Sequence, residues 1–134
     1  MDSYFSVNDA NQILPSVIKK FNYAKKMKTD VMKMEKQLTS GVTPVTSLDQ
    51  YVIAKRKLNS LITKFYQSIE DLENTGVVLK GLDEGLLDFP AKRFDEEIWL
   101  CWKEGETEIK FWHEKDSGFM GRKPISVSNE SLVL

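Results

Sequence analysis

Residues 97–113 read Glu97-Ile98-Trp99-Leu100-Cys101-Trp102-Lys103, then Glu104-Gly105, then Glu106-Thr107-Glu108-Ile109-Lys110-Phe111-Trp112-His113. Two β-prone runs separated by Glu-Gly are a hairpin signal, though a lesser one than Asn-Gly or Asp-Gly. With Glu104-Gly105 as a two-residue loop, Trp102 faces Thr107, Leu100 faces Ile109 and Ile98 faces Phe111. Side chains alternate across a strand, so this register gathers Ile98, Leu100, Trp102, Ile109 and Phe111 on one side. Trp99, Cys101 and Trp112 take the other side, beside charged residues. The apolar face is expected to pack on helices, leaving Trp99 and Trp112 as a candidate aromatic surface. Val77-Val78-Leu79 adds a short strand, whereas Gly81 to Phe94, with two glycines and Pro90, reads as loop. Asp116 to Pro124 reads as irregular, and the residues from Ile125 onward are expected to fray or dock weakly.

Outward from the hairpin, residues 1–76 carry a different period. Leu14, Val17, Phe21, Ala24, Met27, Val31, Met34 and Leu38 recur in steps of three and four, which line one face of a helix. Ser6 is a good N-cap with Asp9 three residues on, and Phe5 is placed to staple the first turn. Pro15 is costly in a helix interior, so a break or restart is expected after Leu14. The helix is expected to end near Leu38, followed by a loop over Thr39 to Thr46 with Gly41 and Pro44. Ser47, with Gln50 three residues on, caps a second helix whose seam is Leu48, Tyr51, Leu58, Leu61, Ile62, Phe65, Ile69 and Leu72. Gly76 then offers the left-handed residue that closes many helices. The fold class is α+β: a long antiparallel helical hairpin packed with a small antiparallel sheet, made of hairpin 97–113 and a strand near 77–79. One domain over 1–134 is expected, with residues 1–76 as the hairpin and 77–134 as sheet and loops.

The chain has 134 residues, 41% of them hydrophobic and 29% charged, which suits a globular domain and argues against wholesale disorder. The net charge of −1 divides into +5 over residues 1–70 and −6 over 71–134, which favours packing of the two parts on each other. Seven lysines of the first helix, Lys19, Lys20, Lys25, Lys26, Lys28, Lys33 and Lys36, read as its solvated face. The overall balance makes nucleic acid an unlikely partner. No apolar run suits a membrane span, and the opening residues lack a signal-peptide pattern. A single cysteine excludes an internal disulfide and suits the cytoplasm.

Several stretches resemble an uncharacterised prokaryotic family, the domain of unknown function family 2203. They are Phe5-Ser6, Ala10-Asn11 and Leu14-Pro15, then Gly85-Leu86-Leu87-Asp88-Phe89-Pro90-Ala91. They continue in Leu100-Cys101-Trp102-Lys103, Gly105-Glu106, Phe111-Trp112-His113, Asp116-Ser117-Gly118-Phe119 and Gly121-Arg122. Ser117 stands where the resemblance leads one to expect a small apolar residue. The resemblance implies helices plus a short sheet and carries no activity, cofactor or partner with it.

Among polar residues, Asp88, Glu106, His113, Asp116 and Arg122 form a candidate ligand-binding constellation. His113 offers acid–base or ligand-binding chemistry, and Arg122 can fork two bonds to a carboxylate. The plainer alternative has Arg122 pairing with Asp116 or Asp88 to pin the C-terminal loop. Catalytic residues are not assigned, because no nucleophile stands beside a base. Cys101 reads as a small buried hydrophobe. His113 with Asp116, Glu106 or Glu108 is a poor match to a zinc set, so neither metal nor cofactor is expected. The leading functional expectation is a non-enzymatic interaction or assembly module that self-associates through its helices, a dimer being favoured. The alternative is a small-molecule-binding protein or enzyme with a polar pocket around Asp88, His113, Asp116 and Arg122.

Overall fold

The computed structural model describes residues 3–39 and 47–125. Helix α1 spans Val7–Thr39 and α2 spans Leu48–Glu73. The strands are β1 Val78–Gly81, β2 Leu86–Arg93, β3 Glu96–Lys103, β4 Phe111–Glu114 and β5 Lys123–Pro124, with one 3-10 turn at Phe119–Gly121. The expected loop over Thr39 to Thr46 and the fraying tail lie outside the described residues, except for Thr39, which ends α1, and Ile125. Ile125 is buried, and its N–H donates to the Lys110 carbonyl at 2.9 Å.

Both helix starts follow their caps. Ser6 Oγ accepts from the Asp9 N–H at 2.9 Å, and Ser47 Oγ accepts from the Gln50 N–H at 3.1 Å. The α1 stripe buries Ala10, Leu14, Val17, Phe21, Ala24 and Met27. α1 does not restart at Pro15 but runs through it. The Pro15 ring sits on the exposed side, between buried Leu14 and Val17. Burying such an apolar stripe, at about 1.5–3 kcal/mol per large side chain, outweighs the ~3 kcal/mol a helix-interior proline costs. Lys19, Lys20 and Tyr23 border the same shallow depression as Ser68 and Asp71, so α2 runs back along α1. At 1.5 Å per residue α1 is about 50 Å long. Beyond Met27 no α1 residue among those described is fully buried, so its last turns have less cover than its first.

The five strands form one antiparallel sheet in the order β1-β2-β3-β4-β5. Its inner face presents Leu87, Phe89, Ala91, Ile98, Leu100, Trp102 and Trp112 to the α1 stripe. Phe21 meets Trp102 edge-on with ring centroids 5.2 Å apart, and Phe5 meets Phe89 at 5.3 Å. Ion pairs between oppositely charged halves add to this contact, with Lys25 on Glu104 and Lys28 on Asp83.

Two sequence expectations are corrected here. First, Leu86–Arg93 is not loop but a strand paired along its whole length with β3. Pro90 is tolerated because its carbonyl points to the free edge beyond β1, where it accepts the Phe5 N–H at 2.7 Å. The nitrogen of the same residue points to that edge too, so no ladder bond to β3 is lost. Second, the β3–β4 register differs: Leu100 pairs with Trp112 and Cys101 with Phe111. Residues 104–110 make a longer excursion than a two-residue loop. Trp102 Nε1 donates to the Glu106 carbonyl at 2.9 Å, and the Ile109 N–H donates to Asn11 Oδ1 at 2.7 Å. An odd shift in register exchanges the faces of a strand. Trp112 is therefore a core residue at 3% exposure, Phe111 lies on the outer face, and the expected Trp99/Trp112 surface does not exist. No helix of the described residues is long and apolar enough to cross a membrane.

Candidate functional site

The outer face of the sheet, turned away from the helices, holds the polar residues that sequence singled out. Asp88 on β2 stands directly opposite Cys101 on β3, and His113 on β4 stands opposite Trp99, one step further along the same face. All three are in the centre of the sheet and essentially fully buried, Asp88 and His113 at 2% and Cys101 at 1% exposure. Asp is almost never fully buried without a partner. Here the partner is His113, whose Nε2 lies 3.1 Å from both Asp88 carboxylate oxygens.

The other ring nitrogen decides the tautomer. His113 Nδ1 lies 2.8 Å from the Glu114 carbonyl oxygen, which can only accept, so Nδ1 carries a hydrogen. Nε2 is thereby the nitrogen available to Asp88, and one hydrogen must lie between ring and carboxyl for the contact to be favourable. Burial pushes the Asp88 carboxyl above its usual range; the charges of His113 and Lys80 and hydrogen bonds from His113 and Cys101 only partly oppose this. Burial, reinforced by the charge of Asp88, pushes the Cys101 thiol up to about 12. The thiol is thus a neutral donor to Asp88 rather than a free nucleophile.

A cleft of about 260 Å³ opens onto this group, lined by Lys80, Leu86, Asp88, Cys101, His113, Lys115, Asp116, Gly118 and Phe119. The loop after β4 supplies its second wall. Gly118, at φ +67°, takes the left-handed conformation there, which L side chains adopt only with strain. Lys80 Nζ is 3.8 Å from Asp88 Oδ2 and sits 4.3 Å over the Trp99 ring. Trp99 Nε1 donates to the Lys115 carbonyl at 3.2 Å, so this tryptophan supports the cleft rim.

The five-residue constellation therefore divides. Asp88, His113 and Asp116 share the cleft. Arg122 pairs with neither Asp116 nor Asp88; its Nη2 lies 2.8 Å from both Glu106 carboxylate oxygens. Glu106 Oε1 also accepts the Lys103 N–H at 2.7 Å, and the guanidinium stacks 4.0 Å from the Phe111 ring and 4.8 Å from Phe119. That cluster clamps the 104–110 excursion to the C-terminal loop. Sequence reasoning missed Cys101, Lys80 and Lys115. The alternation in residues 97–103 places Cys101 opposite the core face, but only the pairing of β2 with β3 sets it against Asp88.

The family described as Uncharacterized conserved protein (DUF2203) matches residues 3–125. The chain belongs to this family. Every described residue of this DUF2203 fold, the cleft included, falls within the match. No curated protein and no solved structure is significantly similar to the chain.

Proposed function

We propose that this chain is a small-ligand-binding protein whose working site is the cleft at Asp88 and His113. One observation carries the reading: a nearly fully buried acid–imidazole pair lines the base of a cleft of about 260 Å³. Replacing buried ionic groups with apolar ones is often neutral or stabilising, so keeping an acid and an imidazole here answers to something other than stability. The cleft mixes two lysines, two acids, an imidazole and the apolar walls of Leu86 and Phe119. That lining suits a small polar molecule able both to donate and to accept. A cytoplasmic setting fits the single buried free thiol. The test is thermal melting across a panel of small polar metabolites, comparing wild type with Lys80→Met and Asp116→Asn. Both positions lie at the rim, so the variants keep the fold. A compound that raises the wild-type melting temperature and loses that effect in both variants supports the site. Hits that both variants retain in full count against it.

A second reading, self-association through the helices into a dimer, has one observation in its favour. Helix α2 exposes Leu48 at 76% and Tyr66 at 66%, and Tyr51, Val52 and Ile53 near its start are exposed as well. Light scattering that gives a monomer at micromolar concentration removes this reading.

A further inference from the structure

We propose that the Asp88, Cys101 and His113 side chains form a binding site for a zinc-class divalent cation. The proposal rests on the cleft reading and names the ligand held at its base. The three donor atoms lie within 4.8 Å of one another, on three neighbouring strands of the sheet. The 3.1 Å separation of His113 Nε2 from the Asp88 oxygens, a hydrogen bond in the metal-free chain, is a few tenths of an ångström short of the ~3.4 Å between two tetrahedral ligands whose bonds to zinc are each about 2.0–2.2 Å, so a small side-chain shift admits the ion. The donation from Nδ1 to the Glu114 carbonyl is the supporting contact that aims Nε2 at a metal. Strand pairing fixes each backbone position, so only small side-chain adjustments bring the Cys101 sulfur into line.

The donor set selects the cation. A thiolate and an imidazole disfavour magnesium and calcium, which take oxygen ligands, and favour zinc or cobalt. Three protein ligands leave a fourth position, and the cleft is where that position opens, as in sites that bind or activate a small molecule. Binding releases the Cys101 thiol proton and the hydrogen shared by His113 and Asp88 to solvent, leaving a thiolate, a neutral imidazole and a carboxylate on the ion. Lys80 is the competing cation beside Asp88. Its side chain is 40% exposed, so it can leave toward solvent.

The experiment uses the purified full chain, stripped with a chelator and titrated with zinc(II) against a chromophoric competitor, and separately with cobalt(II). The expected result is one ion per chain and a thiolate-to-cobalt charge-transfer band. Cys101→Ser removes the band, Asp88→Asn and His113→Gln weaken zinc by more than the ~10–100-fold that loss of a supporting contact costs, and Lys80→Met tightens it. The band in wild type reports sulfur ligation even where a core variant fails to fold. Absence of stoichiometric binding, absence of the band, or zinc affinity unchanged in folded Cys101→Ser overturns the site. A chain that takes no metal, yet gains stability from an organic compound only when Lys80 and Asp116 are intact, overturns the metal and keeps the cleft. A chain that binds neither overturns both.

Discussion

Replacing Arg122 with Ala tests whether this residue belongs to a clamp or to the ligand site. Its guanidinium and the Glu106 carboxylate keep only 13% and 19% side-chain exposure. Removing one partner of a fully buried pair costs ~3–5 kcal/mol, and the remaining exposure reduces that to about 2–3. Loss of the stacks on Phe111 and Phe119 adds about 0.5–1 kcal/mol each. Arg122→Ala should therefore destabilise the chain by about 3–5 kcal/mol, a fall in melting temperature of about 10–18 °C for a chain of this length. Glu106→Gln retains an acceptor for the Lys103 N–H and should cost less, about 1–2 kcal/mol. The pair combined should show a coupling of about 1–3 kcal/mol. Urea unfolding followed by tryptophan fluorescence reads all three, since Trp102 and Trp112 are buried. A cost below about 1 kcal/mol for Arg122→Ala, with no coupling to Glu106, would refute the clamp and return Arg122 to the list of ligand-binding candidates.

Other consequences follow from the same geometry. With its pKa pushed up to about 12, the Cys101 thiol is ionised in only about one molecule in 10⁴ at pH 8. The metal-free native chain should barely react with a thiol reagent, while the unfolded chain reacts once; rapid native reaction would show an exposed, activated sulfur. The same shift means the folded chain keeps a proton that the unfolded chain sheds above about pH 9. Stability should fall from there toward pH 12 relative to Cys101→Ser, and a difference that rises over that window contradicts the assignment. For Asp88 the folded value is likewise raised, so the metal-free wild type should lose stability relative to Asp88→Asn as pH climbs from about 4, then level off. Gly76→Ala should cost at least about 1 kcal/mol in denaturant unfolding, because φ is +102° there and a Cβ would meet the Phe5 ring at 3.0 Å. A neutral outcome would contradict both the positive φ at Gly76 and the close approach of Phe5.

The helices were legible because their signals are local. Ser6 and Ser47 cap within one turn, and period alone marks the α1 stripe from Ala10 to Met27, though not its continuity through Pro15 or the end of its burial at Met27. Likewise, Ile98, Leu100 and Trp102 declare their shared face by alternation alone. What failed to show were features set by distant partners. Pro90 hides β2 because a sequence reader counts a lost N–H, and only the free edge at Phe5 reveals that the N–H was not needed. The β3–β4 register turned on Asn11 and Arg122, which hold the 104–110 excursion from outside it. Asp88, His113 and Asp116 were visible as candidates by residue type. Glu106 and Arg122 were visible too, but their assignment depended on a pairing that no spacing encodes. Cys101 joins the site only through the β2–β3 register, and a buried cysteine in a strand otherwise reads as packing.

The most direct test is an amide NMR titration of the labelled full chain with a compound that raises its melting temperature. The account predicts that perturbed signals gather at residues 86–88, 101 and 113–119, around the cleft. Perturbations confined to the exposed apolar residues of α2, from Leu48 to Tyr66, with the cleft signals unmoved, would contradict it.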